Sequence, residues 1–388
     1  EIAPDTRPTG PDLSNVRTTG GPLPHSSSWP GRIALMVGAM ILAVTLTPMP
    51  HQAAQVALTG PFCLACGDGG GADFVLNIAL FLPLGAALAA AGLRARTAVL
   101  LGLALSAGVE LLQFSVIPGR DATVGDVVAN TAGTGLGWVL AGRSRALLRP
   151  PPRVAAWLAG GWALMAIAGT FGAPLLMEPS LPEATWYGQW AATGPEPEWF
   201  EGEVLSVTLD ARPVPHWRIA DWRSRRMELL ARGEVRLQAE IVTGPETPEP
   251  LRIVALATDD GRFATLTQTG RDLNWAVRLR ASNLGLRSPA VVLPGGLPGT
   301  AGDSITVRGS YGSRLATVQV LQGSHVSEIA ASFGWRDGWR LLLGTEKAGR
   351  PLELLLTGLW LLGLWGPLLG WVWLATARRR SGPPAATA

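Results

Sequence analysis

The chain has 388 residues, 47% of them hydrophobic and 16% charged, with a mean hydropathy of +0.25 and a formal net charge of +3. This balance suits a membrane protein with a substantial soluble part. The basic residues are almost all arginine and form no Lys/Arg block of the nucleic-acid type, which argues against DNA or RNA as a partner.

Residues 1–30 are rich in Pro, Gly, Ser and Thr and read as a disordered cytoplasmic tail. They lack the apolar stretch and small-residue cleavage site of a signal peptide. The sequence opens on Glu1 rather than Met, which leaves room for residues upstream. A helix needs about 20 apolar residues to cross hydrocarbon. Six stretches qualify, near 32–49, 74–92, 98–117, 126–142, 154–176 and 352–376. The fourth is short and glycine-rich, a composition for close helix packing rather than lipid exposure. Pro83 is expected to kink the second.

Arginines collect in cytoplasmic loops. Arg94 and Arg96 follow the second stretch, Arg143, Arg145, Arg149 and Arg153 follow the fourth, and Arg378, Arg379 and Arg380 follow the sixth. The loop 50–72 has no Lys or Arg. Both termini are therefore expected in the cytoplasm, with 50–72, 118–125 and 177–350 outside. The expected organisation is a tail (1–30), five helices (31–176), an extracytoplasmic β domain (177–350), a final membrane helix (351–376) and a second cytoplasmic tail (377–388).

From about 200 to 345 the period changes. Segments 234–242, 252–259, 263–269, 273–281, 304–310 and 315–323 alternate apolar with polar residues between Gly, Pro and Asp breaks. Short alternating strands of this kind predict an antiparallel sandwich. The series 251–280 and the W-x-x-G-x-x-L-x-L-G pattern of Trp335–Gly344 resemble concanavalin-like, laminin-G-like jelly rolls. That resemblance implies glycan binding. No paired-carboxylate strand of the kind a glycanase needs is present. Trp186, Trp190, Trp199, Trp217, Trp222, Trp275, Trp335 and Trp339 lie in or beside this domain, as sugar-stacking faces or as core and interface residues. The fold class is thus membrane α-helical, with about six transmembrane helices, plus an all-β jelly roll inserted before the last.

The apolar region 73–137 carries costly polar groups. Asp73 and Asn77 begin one helix, ahead of Phe81, Pro83, Leu84 and Gly85; Glu110 and Gln113 end the next; Arg120 precedes Asp126, Asn130 and Gly133. This ordered set, within about 35–145, resembles the VanZ-like family of membrane proteins, named after a teicoplanin-resistance factor. The resemblance implies a fold and a phenotype class rather than a reaction. Asp73/Asn77 and Asp126/Asn130 are i,i+4 pairs and Glu110/Gln113 an i,i+3 pair, so each pair shares a helix face. The expectation is a pocket of these seven residues at the outer leaflet, with Arg120 binding a phosphate or carboxylate and Glu110 a ligand donor. The competing reading is helix ties, with Arg120 paired to Asp121 or Asp126.

Cys63 and Cys66, in CLAC, are a candidate disulfide of the first outer loop. His51 alone adds too few ligands for zinc, and no metal or nucleotide motif implies a cofactor. The leading expectation is a non-enzymatic envelope protein that binds a lipid-linked or cell-wall ligand, with a glycan-binding β domain and a link to glycopeptide tolerance. The alternatives are an enzyme on lipid-linked saccharides, with Glu110 or Asp126 as base and Arg120 as anion clamp, and a scaffold docking proteins through the β domain.

Overall fold

A computed structural model describes residues 29–47, 62–65, 67, 69–117, 122–190, 199–344 and 349–380. The expectations for the tail before Trp29, for Arg120 and for Cys66 fall outside these residues.

The helical part contains α1 (Trp29–Thr45), α2 (Gly70–Ala90), α3 (Ala95–Ser115), α4 (Val124–Gly142), the short α5 (Ser144–Leu148) and α6 (Pro152–Leu176), with α8 (Arg350–Arg380) at the far end of the chain. Their boundaries have local causes. Gly69 enters α2 at φ 93°, Thr123 caps α4 through its hydroxyl, and Pro152 occupies the first turn of α6, where its missing N–H costs nothing. Four of these helices, α2, α3, α6 and α8, are long and apolar enough to cross a membrane. α1 has 17 residues and α4 has 19, and neither is counted among the four.

Small residues set the helix packing. Gly133 and Gly137 of α4 lie on the carbonyls of Ile78 and Leu82, and Gly85 of α2 lies on the carbonyl of Thr134. A Cβ at any of the three would overlap backbone, so α2 and α4 meet at main-chain distance. α6 and α8 form a second pair, joined by Trp162 Nε1 donating to the Leu364 carbonyl at 2.9 Å and by an edge-to-face contact between Trp162 and Trp371.

The β domain is a sandwich of two six-stranded antiparallel sheets. Its strands are β1 (Trp186–Trp190), β2 (Glu203–Leu209), β3 (Arg212–Pro213), β4 (Trp217–Ile219), β5 (Glu234–Val242), β6 (Leu251–Thr258), β7 (Gly261–Thr269), β8 (Asp272–Val277), β9 (Val291–Leu293), β10 (Ser304–Gly312), β11 (Leu315–Gln322) and β12 (His325–Ser332). The orders are β4-β1-β6-β7-β8-β9 and β12-β11-β10-β5-β2-β3. Helix α7 (Trp222–Arg232) sits between β4 and β5. The alternation read in the sequence is the burial pattern found: in β5, Val235, Leu237, Ala239 and Ile241 face the core. Trp186, Trp275, Phe263 and Tyr311 are almost fully buried between the sheets. Trp275 of the first sheet donates from Nε1 to the Ser310 carbonyl of the second at 3.1 Å. The Trp335–Gly344 pattern forms a 3-10 helix over Trp335–Leu341, and the next described element is α8 rather than a closing strand.

The sandwich is built into the helices. Ala173 and Met177, at the end of α6, belong to the sandwich core. The buried hydroxyl of Tyr311 donates to the Met177 carbonyl at 2.7 Å. At the start of α8, Trp339 Nε1 donates to Thr357 Oγ1 at 3.1 Å, Trp360 Nε1 donates to the Trp335 carbonyl at 2.8 Å, and Arg340 pairs with Glu353 at 2.6 Å. The sandwich also reaches α2: the Ala72 amide donates to the Gly285 carbonyl at 3.0 Å.

Candidate functional site

Three helix ends converge on the side where the sandwich sits: the start of α2, the end of α3 and the start of α4. Arg94, Arg96, Arg143 and Arg145 lie at or just beyond the opposite ends of the same helices. Glu110 falls on the buried face of α3 together with Gln113, and Asn130 is buried on α4.

Thr123 links the carboxylates. Its backbone amide donates to Glu110 Oε2 at 3.0 Å, and its hydroxyl donates to Asp126 Oδ2 at 2.7 Å. The Asp126 amide donates back to Thr123 Oγ1 at 3.1 Å, a reciprocal cap on the first turn of α4. Asn77 Nδ2 donates to Asp126 Oδ1. Asn77, Glu110, Thr123 and Asp126 therefore form one hydrogen-bonded cluster across three helices. The Asp126 carboxylate also faces the positive end of the α4 dipole. Among the described residues no donor reaches the second oxygen of Glu110, a residue 9% exposed.

The remaining predicted residues lie around this cluster with other partners. Gln113 Nε2 donates to the Thr45 carbonyl at 2.8 Å, tying α3 to the end of α1. Asn130 Nδ2 donates to Ser106 Oγ at 2.9 Å, tying α4 to α3, while its Oδ1 is buried without a partner among the described residues. Asp73 pairs with Arg287 of the sandwich at 2.6 Å. Cys63 is disulfide-bonded. The loop that carries it covers the cluster's edge: the Gly125 amide donates to the Cys63 carbonyl at 3.2 Å, and Leu64 and Ala65 lie against Gly125 and Gly70.

Thr123, Ser106, Thr45 and Arg287 were not singled out from sequence. For Thr123 a signal existed, since Thr123-x-x-Asp126 has the spacing of a capping box. Arg287 and Thr45 are joined to their partners only by tertiary packing. No three His, Cys, Asp or Glu side chains among the described residues form a group that would hold a metal ion.

This arrangement of Asp73, Asn77, Glu110, Gln113, Asp126 and Asn130 on three adjoining helices coincides with a known family pattern. Residues 28–146 match the VanZ/LLP1 family model. The match spans α1 to α4 and includes every polar residue of the cluster, so the chain carries a VanZ-like domain followed by a two-sheet β sandwich. No curated protein and no solved structure matches the chain.

The sandwich offers a second place for chemistry. Of its tryptophans, Trp186, Trp222, Trp275 and Trp339 are buried. Trp217 is 57% exposed and holds φ at +76°, a strained conformation for a bulky residue. Its ring meets His216 edge-on at 5.1 Å, and His216 meets Trp190 likewise. His216 Nε2 also lies 3.2 Å from the Trp190 carbonyl. The three rings form an aromatic ledge at the β4–β1 edge of the first sheet.

Proposed function

We propose that the chain is a multi-pass protein of the bacterial inner membrane whose VanZ-like helices hold a lipid-linked cell-wall ligand at the outer leaflet. In this reading α1 and α4 also cross the bilayer, making six spans, and both termini are cytoplasmic. The sandwich, a concanavalin-like jelly roll, then stands outside. Glu110 carries the reading: it is a buried carboxylate with one oxygen engaged by Thr123 and the other open to a ligand hydroxyl or amide. Arg120, three residues before Thr123 in sequence, supplies a guanidinium for a phosphate. Tolerance of glycopeptides such as teicoplanin follows if wall precursor is captured or shielded at this surface.

The test is to identify lipids that copurify with the detergent-solubilised chain by mass spectrometry, beside Glu110→Ala and Arg120→Ala. A polyprenyl-phosphate species is expected in the parent and absent from both variants. Bulk phospholipid alone, unchanged across all three, would sink the reading and leave the polar residues as helix ties. Turnover of a lipid-linked saccharide, lost on Glu110→Gln, would make the site an enzyme instead.

For the sandwich, the Trp217–His216–Trp190 ledge supports saccharide binding, since exposed aromatic faces stack on the C–H faces of sugar rings. Retention of the full chain on insoluble peptidoglycan, lost on Trp217→Ala, is the expected result. Unchanged retention would remove the ledge from the site.

A further inference from the structure

A cavity of about 520 Å³ lies at the base of the sandwich, where α6 enters it, with Glu178, Leu181, Leu229, Leu230, Arg280 and Arg314 in its wall. It is separate from the Glu110 cluster and from the aromatic ledge. Its place along the membrane axis follows from α6. That helix has 25 residues, about 37 Å at 1.5 Å per residue, against a hydrocarbon thickness of about 30 Å. Glu178 and Pro179 follow its last turn directly, so the cavity opens at the level of the lipid headgroups.

The wall has two kinds of surface. Leu181 and Leu229 are buried apolar residues, and Leu230 is 44% exposed at the rim, one turn beyond Met227 at 61%. Among the charged groups, Glu178 is paired with Arg280 at 2.8 Å, and Glu234, also in the wall, is paired with Arg236 at 2.6 Å. Arg314 has no carboxylate partner among the described residues. It sits in the β10–β11 turn, where Ser313 and Arg314 both have positive φ, at 49° and 65°. With both carboxylates neutralised by neighbours, the uncompensated charge facing the cavity is that of Arg314, a forked donor suited to a phosphate.

We infer that this cavity takes the phosphodiester headgroup of a membrane lipid, with the phosphate on Arg314 and the glycerol and first methylenes against Leu181, Leu229 and Leu230. The inference rests on α6 being a membrane span, but not on the ligand assigned to Glu110. A headgroup held there fixes the height of the sandwich above the bilayer, and exposed Met227 and Leu230 enter the interface beside it.

The test uses the full chain, delipidated in detergent and titrated with phosphatidylglycerol and, separately, phosphatidylethanolamine, read by native mass spectrometry. Arg314→Asn removes the charge with a residue that tolerates the turn. Leu230→Trp fills the cavity from its rim, and Arg308→Ala, on the open face of β10, is the control. One phospholipid equivalent is expected to bind, with affinity lowered about tenfold in Arg314→Asn, which loses a charged contact, lowered likewise in Leu230→Trp, which loses the space, and unchanged in Arg308→Ala. Equal lipid affinity in all four proteins would overturn the inference. Inorganic phosphate that binds the parent as tightly as phospholipid, and displaces it, would overturn the lipid as the source. Carbonate extraction of membranes tests the span separately: a chain released by carbonate fails the membrane reading itself, whereas a retained chain without the Arg314 effect fails only this site.

Discussion

Arg287 of the sandwich reaches across to Asp73 at the start of α2, with Nη2 2.6 Å from Oδ1, while its Nε donates to the Leu342 carbonyl at 3.1 Å. One side chain thereby joins three parts of the chain: the VanZ-like helices, the loop before β9 and the segment leading into α8. The Ala72–Gly285 hydrogen bond and the backbone contact of Gly71 with Leu284 lie beside it. The sandwich is thus docked on α2, the helix that supplies Asn77 to the Asp126 cluster, rather than hung from α6 and α8 alone.

Arg287→Ala is expected to loosen this junction more than it lowers overall stability. Both side chains are partly exposed, at 35% and 48%, so the ion pair itself contributes at most about 1 kcal/mol. Hydrogen exchange read by mass spectrometry should show faster exchange in the peptide containing Ala72, with the strands of the sandwich core unchanged. An unaltered rate at Ala72 would mean that the backbone contacts alone hold the junction.

Substitution of Gly133 or Gly137 by Val should be severe. Each Cβ would strike a carbonyl of α2, and backbone cannot move aside as a side-chain end can. A loss of about 1–3 kcal/mol is expected from overpacking, read as a lower melting temperature in detergent. Gly135→Ala is the control: its nearest neighbour, Val99 Cγ2, lies at ordinary contact distance of 3.6 Å, and the melting temperature should hold.

Asp126→Ala removes the acceptor of both Asn77 and the Thr123 hydroxyl, and a negative charge from the first turn of α4. With two partly buried donors left over, about 2 kcal/mol should be lost. Glu110→Gln keeps an acceptor for the Thr123 amide, and its thermal stability should stay near that of the parent. Near-parental stability in Asp126→Ala would show that the cluster does not hold the helices together.

Tyr311 ties the sandwich to α6, and burial pushes its hydroxyl well above the usual tyrosine range. The folded form therefore keeps its proton after the unfolded chain, near pH 10, has begun to lose it. This contribution to stability is complete below about pH 10 and falls as pH rises further. Tyr311→Phe should lower stability by about 1 kcal/mol at neutral pH and weaken the alkaline decline measured by thermal melts. The same alkaline slope in both proteins would assign that decline to other groups.

Trp217→Gly relieves a left-handed conformation that costs a non-glycine residue about 1–2 kcal/mol, while giving up ring contacts that are largely exposed. The melting temperature should rise or hold, and peptidoglycan retention should fall. A marked loss of stability would place Trp217 among the structural residues of the edge strand.

Much of the architecture was legible because it rests on local periodicity. The spans read at 74–92, 98–117 and 154–176 became α2, α3 and α6 within a few residues, and EVRLQAEIV is β5 from Glu234 to Val242. Helix α7 and strands β1 to β4, β9 and β12 were missed. β3, β4 and β9 are two or three residues long, too short to show a period. α7 is arginine-rich and passes for loop in a hydropathy reading, yet Trp222, Arg225 and Leu229 pack its inner face.

By itself, the sequence determined the kinds of element and the polar residues that matter, since apolar length, alternation and the cost of a carboxylate in hydrocarbon are properties of a segment and its solvent. Tertiary structure decided which of those residues meet. Asp73 and Asn77 share a helix face, yet one turned to Arg287 and the other to Asp126. Gln113 went to Thr45, and Arg314 was left facing a cavity with no carboxylate partner of its own among the described residues. Such choices depend on which backbones approach closely enough, and here glycines at Gly85, Gly133 and Gly137 set that approach.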